Sequence, residues 1–103
     1  MDIQKMMKEM KKAQERMTAL QAELAQKTVE ATAGGGMVKA VVTGDGMVRS
    51  LTIDPQVVDP TDVDLLADLV VACVNEGKRR ASELAAAEMQ KAAGALGLPP
   101  GLI

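Results

Sequence analysis

The chain has 103 residues, and this length predicts one domain over residues 1–103. Its net charge of −2 does not by itself favour a polyanionic partner. It contains no histidine and one cysteine, which excludes zinc sites and Ser-His or Cys-His catalytic pairs, so we expect no enzyme, no metal, no cofactor and no small-molecule substrate. Because Phe, Tyr and Trp are absent, the core must be aliphatic, and such a thin core is easier to stabilise across the interface of a homodimer.

The first predicted element is a long helix over residues 2–27. Apolar side chains recur there at spacings of three and four residues, a heptad pattern that suits packing against another long helix. The apolar positions are Ile3, Met6, Met10, Ala13, Met17, Leu20 and Leu24. The outward face carries Lys5, Lys8 and Lys12, and this segregation of charge allows an acidic protein to present a local positive face.

Three strands are predicted next, at about residues 28–33, 37–43 and 47–53. Valine and threonine are frequent in these segments, as is typical of strands. The run Gly34–Gly36 separates the first two strands, and the turn Gly44–Gly46 separates the last two. Because the connections are short, we expect an antiparallel meander.

A second long helix is predicted at about residues 60–93, with Asp59 as its N-cap and Pro60 in its first turn. Gly77 lies inside this helix, and we favour a tolerated defect over the alternative, a close approach of another backbone. The tail, residues 94–103, contains two adjacent prolines that cannot continue the helix. The order of elements defines an α+β fold, α-β-β-β-α, whose long helices overhang a three-stranded sheet.

Three features that resemble chemical sites are interpreted as structural. The run Gly34–Gly36 lacks the spacing of a phosphate-binding loop and precedes a strand, so it is interpreted as a hairpin loop. The aspartates of residues 54–68 lack the spacing of a calcium loop and are explained by helix capping and solvation. Cys73 lies on the apolar side of the second helix and is interpreted as an inert core residue.

The basic residues of the two helices are the remaining candidates for function. Residue types alone favour a solvated face paired with Glu9, Glu15 and Glu83, and phosphate binding is the alternative. Since no aromatic side chain is present to stack on splayed bases, any bound nucleic acid should be a duplex held mainly through its backbone. The charged N-terminal segment and the short apolar runs predict a cytoplasmic protein without a membrane partner.

Four sequence features together carry a family resemblance. A first helix rich in Met and Lys precedes a glycine-rich turn, and the sequence Ile-Asp-Pro (Ile53–Pro55) follows the third strand. Asn75 lies on the second helix, and the sequence Leu-Pro-Pro-Gly (Leu98–Gly101) comes near the end. In this combination the chain resembles the YbaB/EbfC family of nucleoid-associated proteins across nearly its whole length.

The resemblance implies an α-β-β-β-α protomer that pairs through its sheet in a homodimer, with the long helices projecting. It also implies binding to double-stranded DNA at the nucleoid, with roles in nucleoid organisation and gene regulation. The projecting helices are then the DNA contact, and we select six basic residues on them on physical grounds: Lys5, Lys8, Lys12, Arg16, Arg79 and Arg80. A second hypothesis is a dimeric interaction module whose Met-rich helices grip a partner protein.

Overall fold

The computed structural model describes residues 2–95 and arranges them as two long helices and one sheet. The predicted α+β fold class, α-β-β-β-α, is confirmed. A short 3-10 helix, Pro55–Val57, follows the last strand. The main elements are α1 (Ile3–Gln26), β1 (Thr28–Ala33), β2 (Val38–Thr43), β3 (Val48–Ile53) and α2 (Val63–Ala95).

The sheet is antiparallel, with β2 between β1 and β3. Alternate residues of β2 face α2, and Val38, Ala40 and Val42 are fully buried there. Cys73 of α2 packs against this row, with its Sγ 3.3 Å from the carbonyl oxygen of Ala31. The core is therefore a thin layer of small aliphatic side chains between α2 and the first two strands.

Gly77 allows α2 to approach the sheet closely. A Cβ atom at this position would stand 2.6 Å from Cγ2 of Val42 and 3.7 Å from Cβ of Ala31. The first separation is shorter than two carbon atoms tolerate, and Val42 is β-branched and fully buried, so it has no room to move aside. The prediction that Gly77 is a tolerated defect is therefore wrong. The close approach is made by side chains of the sheet.

The second helix begins at Val63, later than the predicted residue 60. The predicted N-cap, Asp59, instead closes a turn, since its Oδ1 accepts a hydrogen bond from the Thr61 N–H at 2.9 Å. The residue that caps α2 is Asp62, whose Oδ1 accepts from the Leu65 N–H at 3.3 Å. Pro60 therefore lies in the turn and not in the first helical turn.

The other element ends agree with the prediction or differ from it by one or two residues. Strands β2 and β3 each begin one residue later than predicted. For β2 the reason is that Met37 still belongs to the preceding turn, where its N–H donates to the Gly34 carbonyl oxygen at 3.4 Å. Helix α2 continues through Ala95, past the predicted end at residue 93. The rest of the predicted tail, residues 96–103, lies outside the described residues.

Both helices extend well beyond the sheet, as predicted. Helix α1 has 24 residues and α2 has 33, so they measure about 36 Å and about 50 Å at a rise of 1.5 Å per residue. The described part of the molecule is correspondingly elongated, at 70 × 21 × 17 Å. Every residue from Ile3 to Ala19 is exposed. We call this exposed part of α1, residues 3–19, the arm.

Candidate nucleic-acid interface

The base of the arm is joined to the sheet and to α2. The Gly44 N–H donates to the carbonyl oxygens of Leu24 and Lys27, each at 2.9 Å. The Lys27 Nζ donates to Oε1 of Glu88 at 2.9 Å. This hydrogen bond raises the pKa of Lys27 and lowers the pKa of Glu88. The contacts determine the direction in which the arm leaves the sheet.

A bulge in the sheet adds a further contact at this base. The register of β2 and β3 shifts between Val41 and Val42, which leaves Arg49 without an opposite residue. The Arg49 guanidinium donates to the carbonyl oxygen of Ala25, near the end of α1, at 3.3 Å. Sequence analysis missed this contact and the Lys27–Glu88 pair, because each joins residues far apart in the chain and follows no local pattern.

One side of the arm carries four of the predicted DNA-binding residues. They follow each other at spacings of three and four residues, which places them on one face of the helix. We call this set the basic row: Lys5, Lys8, Lys12 and Arg16. All four are exposed, and none forms an ion pair with another residue of the described range 2–95. Glu9 and Glu15, which were considered as partners, do not neutralise the row by direct pairing.

A second side of the arm is apolar, and it adjoins the basic row at Arg16, which lines one groove together with Ala13 and Met17. Ile3 is 69% exposed, Met6 45% and Met10 64%, so the predicted heptad pattern is not buried in this part of α1. The same pattern becomes buried at Leu20 and Leu24, where α1 meets α2 and the turn after β2. The arm is therefore amphipathic, with its charged side and its apolar side both uncovered by the described residues.

The two predicted arginines of α2 are already paired with carboxylates. Arg79 Nη2 lies 2.6 Å from Glu76 Oε1, and Arg79 also pairs with Glu83. Arg80 Nε lies 3.1 Å from the same oxygen of Glu76, and its Nη1 donates to the carbonyl of Glu30 at 2.9 Å. The hydrogen bond from Arg79, followed by that from Arg80, lowers the pKa of Glu76 to about 2. These arginines thus offer less uncompensated charge than the basic row.

The residue types with catalytic potential occupy structural positions. Cys73 is fully buried, and its Sγ lies near two backbone carbonyl oxygens. The side chains of Asp54, Asp59 and Asp62 each accept a hydrogen bond from a nearby backbone N–H. Within residues 2–95, no three or more acidic or cysteine side chains are grouped so as to hold a metal ion. Neither helix in that range combines the length and apolarity that crossing a membrane requires.

The fold and surface define a small α+β protein whose most prominent exposed feature is an amphipathic helical arm with a basic side. Comparison with known proteins identifies the group to which it belongs. The sequence profile described as the YbaB/EbfC DNA-binding family matches residues 1–96. The chain therefore belongs to the YbaB/EbfC DNA-binding family. Membership confirms the resemblance found in the sequence and the prediction that the protein is not an enzyme.

Individual relatives agree with this assignment. The chain is 53% identical to a nucleoid-associated protein of Syntrophobacter fumaroxidans, over 93% of this chain and 91% of the relative. It is 48% identical to a nucleoid-associated protein of Acetivibrio thermocellus, over 98% of this chain and 89% of the relative. The crystal structure of the uncharacterized protein HP0035 from Helicobacter pylori matches with a TM-score of 0.72 at 20% identity, over 81% of this chain and 87% of that chain. This last match shows a shared fold.

Proposed function

We propose that the protein binds double-stranded DNA as a homodimer at the nucleoid, mainly through phosphate contacts, and that it contributes to nucleoid organisation and gene regulation. The observation that carries the proposal is the basic row, whose four side chains are exposed and have no carboxylate partner among residues 2–95. The relatives named as nucleoid-associated proteins support the location.

The length of the basic row suits a stretch of duplex backbone. From Lys5 to Arg16 the helix rises about 16 Å, which equals roughly five base-pair steps of 3.4 Å. Lysine presents a mobile point charge and arginine a planar fork, and both pair well with phosphate oxygens. Such contacts hold a duplex without distinguishing its sequence.

Arg79 and Arg80 remain among the proposed DNA contacts, but we expect them to contribute less to the attraction of DNA than the basic row does. Their charges are shared with Glu76 and Glu83, so the net charge of this cluster is near zero. A phosphate would have to compete with carboxylates that are already hydrogen-bonded to both guanidinium groups. We therefore assign the main electrostatic attraction to the basic row.

The third strand supports the proposal of a homodimer. Helix α2 packs on β1 and β2, and it leaves apolar side chains of β3 in solvent. Val48 is 41% exposed and Leu51 39% exposed, and no strand of the described chain pairs with the outer edge of β3. A second copy placed there would bury these side chains, enlarge the thin core and bring two arms to one DNA duplex.

Salt-dependent DNA binding tests the proposal. If the two arms together neutralise about six phosphates, affinity should fall about a thousandfold between 50 and 200 mM salt. A gel-shift series on duplex and single-stranded DNA should show tighter binding to the duplex, because no aromatic side chain is available to stack on unpaired bases. Absence of a shift at low salt, or an affinity that salt does not change, would contradict phosphate-driven binding.

The exposed methionines favour a second candidate function, an interaction module that grips a partner protein. Met7 and Met10 are each 64% exposed, and methionine surfaces adapt readily to different partners. A pull-down that returned one protein in equal amount to this chain, unchanged after nuclease treatment, would favour this candidate. Loss of all captured material after nuclease treatment would favour DNA binding.

A further inference from the structure

The heptad pattern of α1 runs through two different environments. At the base of the arm, Leu20 and Leu24 are buried where α1 meets α2 and the turn after β2. Towards the tip the pattern continues through residues that are all exposed. We call these exposed positions the arm stripe: Ile3, Met6, Met10 and Ala13. Half of the pattern is thus buried within the chain, and the other half is exposed.

The spacing of the arm stripe favours another α-helix as its partner. Alternating steps of three and four residues form a narrow seam, which fits the same kind of seam on a second helix. A helix that packs on a sheet has a broader apolar face, with further apolar positions beside the seam. On one side of the arm stripe, Glu9 and Arg16 occupy such positions, and charged residues beside the seam are typical of paired helices.

We propose that the arm stripe pairs with the arm stripe of a second copy of this chain, with the two arms antiparallel. In this symmetric pair, Ile3 of each arm lies opposite Ala13 of the other, and Met6 lies opposite Met10. The stripe rises about 15 Å from Ile3 to Ala13. Both copies supply the same length and the same side chains, so the contact is self-complementary and closes with two arms.

The position of α2 favours antiparallel over parallel arms. Ala92 and Ala95 of α2 line an open groove of 360 Å³ together with Ala13 and Met17 of α1, so α2 reaches the base end of the stripe. Two parallel arms would bring both copies of α2 together at that end. Antiparallel arms instead place the tip of each arm at the point where α2 of the other copy reaches the stripe.

The charges beside the stripe favour the same orientation. Arg16 lies at the edge of the stripe, since it lines the same groove as Ala13. In the antiparallel pair, Asp2 of each arm lies beside Arg16 of the other, whereas in parallel arms Arg16 would lie beside the uncharged Gln21. The two copies of Glu9 would face each other near the centre, and their repulsion would weaken the pair.

The pairing leaves the lysines of the basic row exposed. Each of them lies two residues from a position of the arm stripe, which is about 200° around the helix. Of the basic row, only Arg16 would take part in the contact. The pairing therefore goes beyond the proposed DNA binding and needs no DNA.

Disulfide trapping without DNA tests the contact and its orientation in the full chain. Met6→Cys protein is mixed with Met10→Cys protein, and one of the two is labelled with ¹⁵N so that mass identifies each pair. The native Cys73 is fully buried and is present in both. We expect mixed disulfides to form about tenfold faster, or more, than disulfides between identical variants, whose cysteines would be offset by about 6 Å along the helix.

Lys8→Cys is the matched control, because residue 8 lies midway between the two test positions but points away from the stripe. It should form a disulfide at least about tenfold more slowly than the mixed pair. Equal rates in the control would overturn the proposal. Faster disulfides between identical variants would overturn the antiparallel orientation, and absence of any disulfide between arms would mean that no second copy occupies the stripe.

A second measurement uses charge in place of cysteine. The stripe is short, so its pairing is weak, and sedimentation equilibrium is run at submillimolar concentration in the Leu51→Asp background, which removes the proposed contact at β3. Glu9→Gln should strengthen the remaining self-association about twofold or more, because it removes the repulsion at the centre. Met10→Asp should weaken it by about tenfold or more.

Glu15→Gln is the control for Glu9→Gln. It makes the same change in net charge, but Glu15 lies two residues from Ala13 and points away from the stripe. It should leave the self-association unchanged. Equal effects of the two glutamate variants, or no effect of Met10→Asp, would overturn the proposal. Failure of DNA binding in the gel shift would leave all of these results unaffected.

Discussion

Gly77 on α2 lies so close to Val42 on β2 that a Cβ atom at residue 77 would stand 2.6 Å from Cγ2 of Val42, and the lack of that atom sets the spacing between the helix and the sheet. Helix α2 covers β1 and β2 at this distance, and Ala31 and Ala81 keep the surrounding layer thin. A protein without aromatic residues thus obtains close packing by bringing the backbone of α2 against small side chains of the sheet.

Gly77→Ala should destabilise the protein, although alanine is normally the better helix former. The gain in helix propensity is about 1 kcal/mol, and overpacking against a fully buried valine costs about 1–3 kcal/mol. Chemical denaturation followed by circular dichroism should therefore show a lower free energy of unfolding. Gly94→Ala is the matched control, since a Cβ there meets nothing within 4 Å, and it should be neutral or slightly stabilising. A stabilised Gly77→Ala variant would contradict the close approach.

The stabilising effect of Glu76 should depend on pH. Arg79 and Arg80 lower the pKa of Glu76 to about 2 in the folded protein, from an ordinary value of 4.5. As pH falls below the ordinary value, the unfolded chain takes up the proton first, so the contribution of Glu76 to stability is present above about pH 5 and is lost towards pH 2. The melting temperatures of the native protein and of Glu76→Gln should therefore differ most near neutral pH and converge in acid.

High salt is the control for that comparison. The side chains of Arg79 and Glu76 are both accessible to solvent, so salt should screen their attraction. We therefore expect 1 M NaCl to reduce the difference in melting temperature between the native protein and Glu76→Gln at neutral pH. A difference that stayed constant from pH 7 to pH 2, or that salt did not change, would mean that Glu76 acts by packing and not by charge.

Leu51→Asp should weaken the proposed homodimer. Leu51 is partly exposed on β3, and a carboxylate there would have to lose water when a second copy packed against the strand. Light scattering at micromolar concentration should give about twice 10.8 kDa for the native chain and a smaller mass for the variant. Thr52→Asp is the control, because Thr52 points to the other face of the sheet, opposite Lys39. A native chain that remained monomeric, or a Leu51→Asp variant that remained dimeric, would contradict pairing at this face.

Local patterns were sufficient to predict the elements and the positions of the charges. The heptad pattern defined α1 to within one residue at each end, and short glycine turns defined the meander. The start of α2 was predicted wrongly because Asp59 and Asp62 are both suitable caps, and the hydrogen bonds from Thr61 assign Asp59 to a turn. Choosing between them requires the local geometry, which residue type alone does not specify.

The neutralisation of the α2 arginines was only partly visible in the sequence. The spacing of Arg79 from Glu76 and Glu83 is that of helical ion pairs, and Glu83 was considered as a partner. The contact of Arg80 with the Glu30 carbonyl joins residues 50 positions apart, and no sequence period signals it. For the same reason the requirement for Gly77 became evident only when Val42 was placed opposite it.

The slope of DNA affinity against salt concentration, measured for two matched double variants, tests the central claim most directly. Lys8→Gln with Lys12→Gln removes two charges per protomer that have no ion-pair partner among residues 2–95, and Arg79→Gln with Arg80→Gln removes two charges that are paired with carboxylates. The account predicts that the slope of log affinity against log salt falls in magnitude by about 3–4 per dimer for the lysine variant and by less than about 1 for the arginine variant. Equal changes in the two variants, or an unchanged slope in the lysine variant, would contradict binding through the basic row.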